Sequence, residues 1–152
     1  MAEPLAPFIV GIPKDTLSIP KTPLEVTQTF PNAYDTANTV TISLTLEETG
    51  YKNFLIQSFN LIGSVRLSGT PGYCDLNGAL KRNGVIISTV FKRVSWESGA
   101  TDNPQIAESF ELYQDIKGNS GDVFTITLTY SNYLEVDSIF LSGSNLQGIA
   151  FN

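Results

Sequence analysis

Fifteen acidic side chains, one cysteine and no histidine define the chemistry open to this chain of 152 residues. The absence of histidine removes the side chain best suited to proton transfer near neutral pH and the commonest metal ligand. Carboxylates remain, and a glycosidase needs only two that converge. Glu108 with Glu111, or Glu135 with Asp137, lie close enough in sequence to contribute to such a pair. Glu47 and Glu48 are adjacent and would point to opposite faces of a strand. All of these read as ordinary solvated strand and loop charges, so no catalysis is expected. With a single thiol, zinc, copper and iron sites are not expected, and no GxSxG, P-loop or GxGxxG motif is present. Calcium takes oxygen ligands from loops, and Asp75, Asn77, Asp102 and Asn103, or Glu135 and Asp137, offer them. No EF-hand spacing occurs, and the same residues serve as turn formers; no metal and no cofactor is expected.

Exposed aromatic rings could bind sugar. Trp96 ends a strand-like run, and Tyr51, Tyr73, Tyr113, Tyr130 and Tyr133 lie near loop-like segments. A β-sandwich also buries aromatic rings in its core, and that reading is favoured for most of them. Tyr73 and Trp96, with the loop 97–107, are the candidates for an exposed binding tip. "TITLT" resembles a threonine row for ice, but that requires the motif on neighbouring strands at regular intervals, and no such repeat is found. Cys74 cannot form an internal bridge and reads as a small buried hydrophobe.

The elements that would carry these residues are strands. "NTVTISLTLEE" alternates Val40, Ile42, Leu44 and Leu46 against Thr41, Ser43, Thr45 and Glu47, the period of a half-buried strand. "KNFLIQSFNLIGSVRLSG" predicts one or two strands broken near Gly63. "YCDLNGALKRNGVIISTVFKRVSW" predicts a hairpin turning at Asn83-Gly84, because a type I′ turn needs positive φ at both central residues. "ESGATDNPQIAE" predicts a surface loop, "SFELYQDI" a strand, "KGNSGD" a turn, and "LQGIAF" a last short strand. In "GDVFTITLTY", Phe124, Ile126, Leu128 and Tyr130 take one face. Val123, Thr125, Thr127 and Thr129 take the other, which must meet water, a ligand or another copy of the chain. No segment shows a capped helical period. Many short strands at this spacing mean an all-β sandwich or antiparallel jelly roll.

The first 31 residues differ from the rest. They hold six of the eight prolines, which fix φ and cannot donate to a ladder, so ordinary helix and central strand are excluded. They also carry Leu5, Phe8, Ile9, Val10, Ile12, Leu17 and Ile19, unlike a polar tail. The expected organisation is an extended arm, residues 1–31, and a sandwich domain, residues 32–152. The arm would lie along a neighbouring subunit or a larger assembly. A net charge of −6 without a basic cluster argues against nucleic acid. The absence of a signal-like start and of a long apolar run predicts cytoplasmic synthesis and no membrane span.

The runs "ALKRNGVIIS", "SFELYQDIKGNSGDVFTITLTY" and "IFLSGSNLQGIAF" resemble the tumour necrosis factor/C1q-like jelly roll. Gly121-Asp122 matches that family's turn, Val123–Tyr130 the alternating strand after it, and Leu146–Phe151 the closing strand. The resemblance covers residues 76–152. It implies a homotrimer in which one sheet containing both strands packs towards the three-fold axis, so that Val123, Thr125, Thr127, Thr129 and Phe151 meet a neighbouring subunit. Without a collagen-like stalk or secretion signal, the chain departs from animal ligands of that family. With its apolar arm it reads as a virion component. The leading expectation is a homotrimeric decoration (cement) protein of a bacteriophage or related capsid, bound through the arm to a major capsid protein. The alternative is the receptor- or glycan-binding head of a phage fibre or spike.

Overall fold

The computed structural model describes residues 22–35, 39–67, 72–96, 105–131 and 136–152. The arm residues Leu5, Phe8, Ile9, Val10, Ile12, Leu17 and Ile19 lie outside the described residues, as do Asp102, Asn103 and Glu135.

Eleven strands and no helix occur among the described residues: β1 (Leu24–Thr29), β2 (Ala33–Asp35), β3 (Thr39–Thr45), β4 (Asn53–Leu67), β5 (Gly72–Arg82), β6 (Val85–Trp96), β7 (Gln105–Ser109), β8 (Ile116–Asn119), β9 (Val123–Ser131), β10 (Val136–Leu141) and β11 (Asn145–Phe151). They form two antiparallel sheets. One has the order β3-β9-β5-β6. In the other, β4 is flanked by β10 and β11 on one side and by β7 and β8 on the other, and β1 and β2 lie beyond β11 and β10.

β1 and β2, β7 and β8, and β10 and β11 each run end to end along one row. Counting each row as one pass of the chain, the sheets read 1-8-3-6 and 2-7-4-5, the order of a jelly roll. The all-β jelly-roll expectation therefore holds. The boundary at residue 31 moves: β1 pairs with β11 over Leu24–Thr29, so the sandwich begins inside the segment read as arm. β1 is an edge strand lying between Pro23 and Pro31, the place where a proline-rich sequence can join a sheet.

The alternating patterns become the core. Val40 and Ile42 of β3, Phe124, Ile126, Leu128 and Tyr130 of β9, and Leu76 and Leu80 of β5 face Phe54, Ile56, Phe59, Leu61 and Val65 of β4, all buried. Phe59 and Phe124 meet across the two sheets with ring centroids 5.0 Å apart, tilted at 47°. Cys74 is fully buried. Gly78 faces this layer, where a Cβ would stand 2.8 Å from Val90 and 3.5 Å from Leu61. A methyl there would displace the Val90 side chain of the neighbouring strand.

β4 runs unbroken through Gly63, so the expected break does not occur there. The interruptions fall in its neighbours instead. Gly63 passes so close to the Phe140 carbonyl that no side chain fits. The loop expected over 97–108 ends in strand β7, and the strand expected over 109–116 is irregular from Phe110 to Asp115. Asn60 pairs with Ser109 and Ile56 with Ile116, so three residues of β4 face six of its neighbour, and the surplus leaves the sheet. Phe110 is buried at the start of this excursion and anchors it, its N–H donating to the Phe59 carbonyl at 3.0 Å.

Candidate interaction surface

Cross-strand register converts the threonine face of β9 into a grid. Thr39, Thr129, Asn77 and Phe91 form one row across the four-stranded sheet, and Thr41, Thr127, Ala79 and Thr89 the next. Ser43, Thr125 and Lys81 form a third row. Hydroxyls pair within the rows: Thr41 Oγ1 lies 3.3 Å from Thr127 Oγ1, and Ser43 Oγ lies 3.1 Å from Thr125 Oγ1. Thr129 Oγ1 donates to the Asn77 carbonyl at 3.3 Å. The first two rows carry no charge, the third ends in Lys81, and the β-branched residues of all three are short. The polar groups of such a surface are partly satisfied before any partner arrives. Phe91 stands above it, 57% exposed, beside a depression of roughly 470 Å³ between Asn77, Thr89 and Thr127.

The paired charges of this face sit at its ends. Arg93 donates to both Asp75 carboxylate oxygens, through Nε at 2.6 Å and Nη2 at 2.8 Å, and stacks 4.1 Å above the half-exposed Tyr73 ring. Asp75 is thus held by an arginine and is not presented as a loop ligand for calcium. At the other end Asp122 joins two turns. Its carboxylate accepts from Arg82 Nη2 at 2.6 Å, from Asn83 Nδ2 at 3.1 Å and from the backbone N–H of Asn119 at 2.9 Å. The Asn83-Gly84 turn has φ of 48° and 86°, as type I′ demands. Asn83 also exchanges two hydrogen bonds with Val123, its N–H donating to the carbonyl and its Oδ1 accepting from the N–H, both at 2.8 Å. Burial by itself would raise the Asp122 pKa. The Asn119 N–H, the Asn83 amide and the Arg82 guanidinium outweigh it and hold the carboxyl below the ordinary carboxylate value.

The nominated residues divide between places. Val123, Thr125, Thr127 and Thr129 line the outer face of the four-stranded sheet. Phe151 does not join them. Its strand, β11, belongs to the other sheet, where Leu146, Gly148 and Ala150 point inward and Phe151 points out on the opposite side of the sandwich. The two strands expected in one sheet are in two, because consecutive passes of a jelly roll cross between layers. Tyr73 and Trp96 lie on paired strands: β5 begins where β6 ends, with the backbone of Gly72 opposite Trp96 and that of Tyr73 opposite Ser95. Of the carboxylates, Glu108 is in an ion pair with Lys92 at 3.2 Å. Among the described residues no group of three or more His, Cys, Asp or Glu comes together. No helix among them is long and apolar enough to cross a membrane. Sequence reasoning missed the Tyr73–Arg93–Asp75 stack and the Asp122 clip, although "GD" after a turn signalled the second.

No protein-family model matches the chain, and no curated protein sequence does. Solved structures resemble it in fold. A CocE/NonD family hydrolase from Staphylococcus aureus superposes with a TM-score of 0.50 at 12% identity, over 88% of this chain and 34% of the hydrolase. Dimeric latent PorU from Porphyromonas gingivalis gives a TM-score of 0.45 at 14% identity, over 88% of this chain and 13% of PorU. A chain of infectious bursal disease virus, Gx strain, gives 0.38 at 15% identity, over 86% of this chain and 32% of the viral one. The chain spans only 13–34% of the length of these proteins. What the likeness to the hydrolase establishes is the architecture, an all-β sandwich of two antiparallel sheets.

Proposed function

We propose that the chain is a structural virion protein, a homotrimeric decoration (cement) protein that binds a capsid shell through the apolar segment preceding residue 22. The observation that carries the reading is the outer face of the four-stranded sheet. It is uncharged along the row of Thr41, Thr127, Ala79 and Thr89, internally hydrogen-bonded and marked by exposed Phe91. Short side chains there permit close approach of a partner, and an exposed aromatic ring is the kind of anchor that supplies buried area at a protein interface. In this arrangement Val123, Thr125, Thr127 and Thr129 line the contact between subunits, and Phe151 lies away from it. The apolar segment enters the sandwich at β1, beside the C-terminal strand, where Tyr51 Oη donates to the Thr22 carbonyl at 2.7 Å.

Light scattering on the full-length chain and on a chain lacking residues 2–21 tests both parts. Three-chain masses for both, with co-sedimentation on assembled capsids lost only by the shortened chain, are expected. A monomer would end the trimer, and retained co-sedimentation would end the anchoring role.

A second reading is favoured by one observation. Tyr73 presents a half-exposed ring, fixed by Arg93, which suits the receptor- or glycan-binding head of a fibre. Loss of receptor or glycan-array binding on Tyr73→Ala would support this reading, and unchanged binding would remove it.

A further inference from the structure

We propose that the cleft beside Tyr113 is a binding site for a neutral saccharide, whether or not the chain assembles into a trimer. The site lies on the open flank of the sandwich, where edge strand β6 of one sheet faces the row of β7 and β8 in the other. The excursion 110–115 crosses this flank and is tied across it. Ser88 Oγ donates to the Glu111 carbonyl at 2.8 Å, and Lys92 pairs with Glu108. Phe110 and half-buried Leu112 hold the base of the excursion, while Tyr113 is fully exposed. A large, fully exposed ring raised on an anchored loop offers its face to a ligand.

Tyr113 stands between two depressions. The larger, roughly 680 Å³, has an aliphatic floor of Ile87, Leu112 and Ile116 and a polar rim of Gln114, Asp115 and Lys117. The smaller, roughly 320 Å³, adds Ser88, Thr89 and Glu111. The larger is the size of a small-molecule cleft, and an apolar base with a few convergent polar groups is the usual lining of one. Charge selects the ligand. Arg82, on the wall of the larger depression, is already neutralised by Asp122, and Asp115 and Lys117 cancel. Glu111 leaves the pair of depressions slightly acidic. An anion would be disfavoured there. A sugar ring offers the matching chemistry: its C–H face lies on the exposed aromatic ring, and its hydroxyls donate to carboxylates and accept from the amide and ammonium groups. A site divided by one ring accommodates adjoining units of an oligosaccharide.

Saturation-transfer NMR of the full chain with lactose, mannotriose, xylotetraose and cellotetraose tests the assignment, with sialyllactose as the anionic comparison. At least one neutral sugar is expected to bind, and Tyr113→Ala should weaken it on the order of tenfold or more without moving the melting temperature. Asp115→Asn should weaken the same sugar, and Tyr73→Ala should leave it unchanged. Binding by none of the four, binding indifferent to Tyr113→Ala, or preference for sialyllactose would overturn the proposal. Loss through Tyr73→Ala instead would move the site to the other end of the sandwich. None of these outcomes bears on the mass of the assembly, so the two proposals fail separately.

Discussion

Asp122 is the side chain on which local structure depends most visibly, because two turns distant in sequence meet at its carboxylate. Asp122→Asn should cost about 2 kcal/mol, the scale of losing charge-assisted hydrogen bonds at a mostly buried site, measured by urea denaturation at neutral pH. The pH dependence has a definite sign. A carboxyl whose folded pKa lies below its unfolded value of about 3.9 contributes fully above that pH and loses its contribution as pH falls through the folded value. Acid unfolding of Asp122→Asn should therefore be shallower below about pH 4 than that of the parent. Cys74 gives a second test at this scale. Burial, reinforced by neighbouring Asp75, pushes its thiol up to about 11. It should resist a thiol reagent at pH 8 until the chain is unfolded; rapid labelling of the native protein would contradict its buried place.

Strands and turns follow rules that partly act within a few residues, and there the sequence was most legible. The Asn-Gly turn, the strand after Gly121-Asp122 and the alternation of β3 are local patterns, and each lies where its pattern puts it. The segment 109–116 misleads because its alternation is strand-like, while its departure from the sheet is set by the shorter run of β4 opposite. No residue inside the segment encodes the length of its partner. The close passage at Gly148, opposite the bulge that adds Gln57 to β4, is similar. A Cβ there would lie 2.9 Å from the Ile56 Cα and collide with the Leu55 carbonyl, backbone that cannot give way. Gly148→Ala should cost about 2 kcal/mol. Gly84→Ala, in open space at φ of 86°, should cost about 1 kcal/mol from backbone strain alone. Thermal melts of the two variants distinguish collision from strain.

For the whole molecule the decisive quantity is which outer face remains bare. The paired hydroxyls lower the cost of covering the threonine face, whereas a long charge on it could not be buried cheaply. Thr127→Arg should yield monomers by light scattering with a melting temperature close to the parent's, since Thr127 points away from the core. A trimer that tolerates this substitution would place the subunit contact elsewhere. A drop in melting temperature in step with dissociation would show instead that the protomer depends on its partners.

The sequence by itself determined the class of fold, the inward faces of most strands, the hairpin and the scarcity of catalytic side chains. Each of these follows from residue type and a period of two, physics that operates along the chain. Only the tertiary structure decided that β9 and β11 belong to different sheets and that Phe151 is carried to the far side from the threonines. It alone brought Tyr73, Asp75 and Arg93 into one stack, and it raised Tyr113 beside a cleft. Sheet membership and loop excursions depend on pairings between residues tens of positions apart, whose free energy comes from burying whole faces together. No short window of sequence contains that sum.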